Sequence, residues 1–229
     1  MKSLIFDAGP IISLATNNLL WILEPLKRDF NGKFYITEPV RRELVNKPLE
    51  TKKFKFEAIQ VEKLIENKVL EVVDNSYIQE NTPNFLNLAN EIFKAYNNYM
   101  KIVHFAEASV IIAAVNQGSE AIVLDEKTTR YLIENPRLVA EILRKTLHTS
   151  VYINESNLKE FRDTADGIKT IRSVELVTVA YEHRILDRFI TSLPNARKDL
   201  LESVLWGVKL NGCAVSKEEI EQIVKLAIK

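Results

Sequence analysis

The sequence predicts an α/β fold, a three-layer α/β/α arrangement around a parallel sheet, followed by an all-helical C-terminal extension. Three observations lead there. Short apolar runs, too brief for helices, alternate with longer stretches of helical spacing through the first two thirds of the chain. Two of those runs end directly in an acid, Asp7 and Asp125. From about Asn154 onward helical spacing continues to the end. Strands alternating with helices imply right-handed crossovers and a parallel sheet covered on both faces. The expected division is an α/β domain over 1–153 and a helical extension over 154–229.

Lys2 to Phe6 reads as a buried strand that stops at Asp7-Ala8-Gly9. Pro10 suits the first turn of a helix, and the following IISLATNNLLWILEPL carries helical apolar spacing. Lys33 to Ile36 is a second strand, after which Thr37 is the expected N-cap of a Pro39-led helix carrying VRRELV. An amphipathic helix over 51–67 and a third strand from Val69 to Val73 follow. Asn75 to Asn84 is polar and holds Pro83, which predicts a loop, and 85–100 predicts a helix. FAEASVIIAAVN is a helix of small and apolar residues closed by Gly118. Ala121 to Leu124 is a strand ending in Asp125, helices over 126–147 break near Pro136, and HTSVYI is the expected last strand. Helices over 155–165, 172–190, 195–210 and 217–228 complete the chain, the last opened by a capping box from Ser216 to Glu219.

Lys plus Arg and Asp plus Glu both total 31 among 229 residues, so the net charge is zero. A protein gripping long duplex DNA through many phosphates carries a basic excess, and none exists here. One cysteine, Cys213, cannot make an internal disulfide. No apolar run approaches the ~20 residues that cross a bilayer, and the first ten residues lack a signal-peptide pattern. A cytoplasmic, soluble protein is the expectation. Six glycines with no Gly-rich phosphate loop argue against a Rossmann or P-loop nucleotide site. His104, His148 and His183 are scattered, and no CxxC or HExxH spacing points to zinc.

In an open parallel sheet ligands gather at the carboxyl ends of the strands. Asp7 and Asp125 both stand there. Carboxylates in such a place suit hard cations, which prefer oxygen ligands; each alone could equally cap a helix. Glu107 lies at the start of a helix whose small neighbours Ala106, Ala108, Ala113 and Ala114 let it approach the sheet closely. By itself it reads as compensation of the helix dipole. Glu43, on VRRELV, reads by itself as part of a solvated helix face.

The order FDAGPIISLA, ITEPVRRELV, FAEASVIIAAV, IVLDEKTTR closely resembles PIN-domain proteins over roughly residues 1–150. Mapped by motif, the resemblance implies Asp7, Glu43, Glu107 and Asp125 as catalytic metal ligands, with Glu126 as an accessory acid. It implies Mg²⁺ or Mn²⁺ as cofactor, hydrolysis of phosphodiester bonds, and single-stranded RNA as substrate. A homodimer and an antitoxin-like protein partner are further associations it brings. Clustered carboxylates repel one another, and a divalent cation relieves that repulsion while activating water. Ser13, Lys127, Thr128 and Arg130 are the candidate substrate contacts. Four features depart from the family pattern: Ala8-Gly9 follows the first acid where a hydroxyl or amide is common, Ala106 stands where the pattern has Gly, the segment between Glu43 and Glu107 is longer than in compact members, and the tail beyond 154 has no counterpart in them. A dehalogenase-type reading of IFDAGP fails because Gly9 stands where that chemistry needs a second Asp. A PIN-like scaffold that binds RNA or protein without cutting, or a toxin of a toxin–antitoxin pair, remains as the alternative.

Overall fold

The computed structural model describes residues 2–228. Its centre is a five-stranded parallel sheet in the order β3-β2-β1-β6-β8, built from β1 (Ser3–Phe6), β2 (Lys33–Thr37), β3 (Glu71–Val73), β6 (Ala121–Val123) and β8 (Lys169–Ile171). β1 and β6 are buried along their whole length, as strands covered on both faces must be. Helix α7 (Phe105–Gln117), with residues 106–114 all buried, packs on β1, β2 and β6 and is covered by α6 (Ser76–Asn90). α1 (Ala8–Thr16), α2 (Leu23–Phe30) and α11 (Ser173–Glu182) form another layer. The three-layer α/β/α fold with a helical extension is therefore what the chain adopts.

The sheet order matters for the site. From β1 the chain moves one way to β2 and β3, then returns to place β6 and β8 on the other side of β1. The crevice where that order reverses, outside the carboxyl ends of β1 and β6, is where ligands bind in such sheets. Asp7 follows β1 and Asp125 lies two residues beyond β6.

Several elements differ from the sequence expectation. Residues 75–84 are not a loop: α6 runs through Pro83 because the spacing of Ile78, Thr82, Phe85 and Ala89 is helical and buries one face under a polar exterior.

 Ala89, the last residue of that stripe, is fully buried. The expected helix over 85–100 ends at Asn90, and the chain then forms β4 (Phe93–Ala95) and β5 (Asn98–Tyr99). Tyr96 and Asn97 between them both have positive φ, 49° and 64°, which makes the two-residue hairpin turn without the usual Asn-Gly signal. HTSVYI does not join the main sheet; its β7 (Tyr152–Ile153) pairs antiparallel with β4 in a separate three-stranded sheet. The edge strand β8 comes instead from Lys169–Ile171, a three-residue stretch with an exposed Lys and a half-buried Thr, too short and too polar to read as a strand. The extension thus contributes a strand as well as α10 (Glu155–Thr164), α11, α12 (Ala196–Leu210) and α13 (Lys217–Ala227).

The candidate active site

Asp7, Glu107 and Asp125 are 6%, 7% and 2% exposed. Asp7 and Asp125 flank Gly9, where a Cβ would stand 3.5 Å from both Asp7 Oδ2 and Asp125 Cβ. Asp7 is the N-cap of α1 and accepts from Gly9 N–H at 3.2 Å. Among the described residues no cation answers its charge there. Burial, then the nearby Glu107 carboxylate, and more weakly Glu43, push its pKa up to about 7, against the opposing Gly9 and Ala8 backbone N–H groups.

Glu107 stands in the first turn of α7, as the small residues around it anticipate. Both of its hydrogen bonds fall on Oε2, from His104 N–H at 2.9 Å and from the buried Thr129 hydroxyl at 2.9 Å. Burial raises its pKa above the usual carboxylate range, and the neighbouring Glu126 adds to the rise. Beneath α7, Thr37 Oγ1 and Ser109 Oγ meet at 2.7 Å and tie the helix to the end of β2.

Glu43 sits in a π-helical turn, Arg42–Asn46, between α3 (Glu38–Arg41) and α4 (Lys47–Glu50). Pro48 explains the widening: it cannot donate to Leu44 and its ring crowds that carbonyl. Such insertions often mark functional positions. The Glu43 side chain is 40% exposed and lies 3.9 Å from Lys47 Nζ.

Asp125 has different company. Its Oδ1 accepts from Ser173 N–H at 2.7 Å, and its Oδ2 accepts from the Ser13 and Ser173 hydroxyls, both at 2.8 Å. Ser173 is the first residue of α11, so Asp125 satisfies an otherwise free N–H at that helix's start. The tail closes over the same acid: Ala214 N–H donates to the Asp125 carbonyl at 3.2 Å, and burial together with the Asp125 charge pushes the Cys213 thiol up to about 12. Ser13, an expected substrate contact, is instead fully buried, holding Asp125 and reaching the Asn211 carbonyl at 3.3 Å.

Glu126 is exposed and caps α8 (Lys127–Glu134) through Thr129 N–H at 2.6 Å. Lys127 is exposed, its ammonium 5.5 Å from the Tyr131 ring centroid. Thr128 is half-buried beside it, and Arg130 pairs with Glu134 at 3.3 Å while stacking on Tyr131. Sequence reasoning missed Thr129 and Ser173. Thr129 lies four residues after Asp125 in the first turn of its helix, a usable clue; Ser173 is separated from Asp125 by 48 residues and carried none.

Whether these residues suit a divalent cation can be asked of their chemistry. Asp7 and the free Oε1 of Glu107 are hard oxygen donors whose charge is uncompensated, and the Glu43 charge reaches Asp7. They fit such an ion in kind. As placed, among the described residues no group of three or more His, Cys, Asp or Glu stands at metal-holding distances.

A family model described as a PIN domain matches residues 3–139. No curated protein and no solved structure matches the chain. Among the described residues no helix is long and apolar enough to cross a membrane.

Proposed function

The chain belongs to the PIN-domain family, whose fold is of the nuclease type, and from this premise we propose that it is a metal-dependent endoribonuclease acting on single-stranded RNA. The observation that carries the proposal is Asp7: a buried carboxylate beside Glu107 and within reach of the Glu43 charge, with only neutral donors around it. Burying a charge without compensation is costly, and a cation at that point removes the cost.

Asp7, Glu107 through Oε1, and Glu43 are the residues that would hold Mg²⁺ or Mn²⁺. Bound there, such an ion would supply Lewis-acid polarisation of a phosphoryl oxygen and a water made acidic enough to attack it. The protein's own part is positioning. Thr129 and the His104 N–H fix the Glu107 carboxylate on one oxygen and leave the other free. Ser13 and Ser173 hold Asp125 in the wall of the crevice beside Asp7. Glu126, at the mouth, adds negative charge near Glu107. Lys127, exposed at the start of α8, offers a cation to a phosphate on the substrate, with Thr128 and Arg130 beside it.

The test is cleavage of end-labelled single-stranded RNA, with single-stranded DNA alongside, in Mn²⁺, Mg²⁺ or EDTA. Cleavage of RNA that needs the metal and falls at least a hundredfold in Asp7→Asn and Glu107→Gln supports the proposal. Cleavage indifferent to EDTA, or equal in those variants, refutes it. One observation favours a second reading, a PIN scaffold that binds RNA or protein without cutting: both Asp125 oxygens are already taken by protein donors. Metal-independent binding of RNA with no cleavage in any metal would select it.

A further inference from the structure

The small antiparallel sheet is separate from the five-stranded one, and its two sides differ. Phe93 and Ala95 of β4 face the core, fully and nearly fully buried. The alternate residues face outward. Lys94 stands directly opposite Tyr99 of β5 on one side and Tyr152 of β7 on the other. Residues directly opposite across strands share a face, so these three form a row, tyrosine-lysine-tyrosine. Tyr96, in the turn that follows β4, lines the same cleft. Tyr99, Tyr96 and Tyr152 are 47%, 66% and 67% exposed. They line an open cleft of about 450 Å³ together with Lys94 and Ser150.

Within the segments that build this face the charge is of one sign, with Glu91, Glu141 and Glu155 just beyond them. The two segments that build it, residues 92–104 and 142–154, contain no Asp or Glu, in a chain with 31 acids. They carry Lys94, Lys101, Arg144 and Lys145. Exposed tyrosines with a lysine between them complement unpaired bases and the phosphates that join them. Every base has a π-face to stack, and stacking needs no base pair. A duplex offers its phosphates but hides those faces.

The sheet also leads straight to the acids. From β5 the chain runs five residues to the start of α7, held on the way by Asn90, whose side chain accepts from Ile102 N–H and Val103 N–H and donates to the Val103 carbonyl. α7 opens with Phe105, itself 46% exposed, and Glu107 follows two residues later.

We infer that the outer face of the β5-β4-β7 sheet is a stacking platform for single-stranded RNA, with Tyr99 and Tyr152 receiving bases and Lys94 a phosphate between them. This rests on the proposal that unpaired RNA is the substrate, and extends it by naming where the strand is gripped away from the acids.

Binding and cutting are measured separately. A fluorescein-labelled 12-nucleotide oligouridine is titrated with the protein in EDTA, read by anisotropy, beside a duplex RNA of the same length. Wild type is expected to prefer the single strand. Tyr99→Ala and Tyr152→Ala should each weaken its binding about tenfold, and Lys94→Glu should weaken it and flatten its salt dependence. Tyr96 is left intact because its hydroxyl donates to the Leu147 carbonyl at 2.6 Å. An unchanged melting temperature certifies the fold, and Tyr99→Phe, which keeps the ring, should bind as wild type. Equal binding by the alanine variants, no binding by wild type, or a preference for the duplex overturns the platform. In the cleavage assay the alanine variants should raise KM for the oligouridine and leave kcat unchanged. If wild type binds but never cuts while the variants lose binding, the platform stands and the nuclease proposal falls.

Discussion

Asp7 and Asp125 sit on either side of one glycine and are almost equally buried, yet their surroundings are opposite. Asp7 meets two other carboxylates and only the backbone N–H groups of Ala8 and Gly9. Asp125 meets three close donors and the start of a helix. Burial alone therefore says little about an acid's role. What surrounds it decides whether the charge stabilises the fold or strains it, and in this crevice one acid of the pair does each.

The comparison breaks most visibly at Asp125. Asp125→Ala strands the Ser13 and Ser173 hydroxyls and the Ser173 N–H in the interior, and is predicted to cost about 4 kcal/mol in denaturant unfolding. A loss under about 1 kcal/mol would show that those donors do not depend on it.

Asp7 should behave with the opposite sign. Its folded pKa of about 7 exceeds the ordinary 3.8, so the folded state holds the proton more tightly. In metal-free buffer, stability is then unpenalised below pH 4, falls as pH rises to about 7, and is flat above. Asp7→Asn removes that slope. At pH 8 it should stabilise the protein by on the order of 2 kcal/mol, less than the shift alone corresponds to because a buried amide also needs partners. A destabilised Asp7→Asn at pH 8 would mean the carboxylate is compensated after all.

Smaller changes sharpen the picture. Ser173→Ala keeps its N–H bond to Asp125 and loses only the hydroxyl, so roughly 1 kcal/mol is expected, with Ser13→Ala similar. Glu43→Gln, at a half-exposed position paired loosely with Lys47, should change stability by less than about 0.5 kcal/mol.

The sequence made half of this pair readable. Strands β1 and β6 announce themselves by unbroken apolar runs ending in Asp7 and Asp125, and the Ala-rich α7 announces that Glu107 lies close to the sheet. What answers Asp125 was not readable, because Ser173 comes from beyond β8, an edge strand of three residues with an exposed Lys and a half-buried Thr. Local pattern detects a strand by what it buries, and this one buries little. The same reason hid β4 and β5, which are three and two residues long and joined by a Tyr-Asn turn, whereas HTSVYI does predict β7 but not its pairing with β4 outside the main sheet. Pro83 misled in the other direction: a proline inside a helix reads as a break, yet the apolar stripe from Ile78 to Ala89 outweighs one lost hydrogen bond. Ser13 stood out as the next polar residue after the first acid, and the fold buries it with its hydroxyl on Asp125.

The most direct test of the Asp7 cluster is a thermal melt at pH 7.5 with increasing MnCl₂, on wild type and Asp7→Asn. A cation that relieves the charge around Asp7 should raise the wild-type midpoint by roughly 5 °C at saturating metal and leave Asp7→Asn, already higher without metal, unmoved. A wild-type midpoint that ignores Mn²⁺, or an equal rise in both proteins, would contradict a metal site at Asp7.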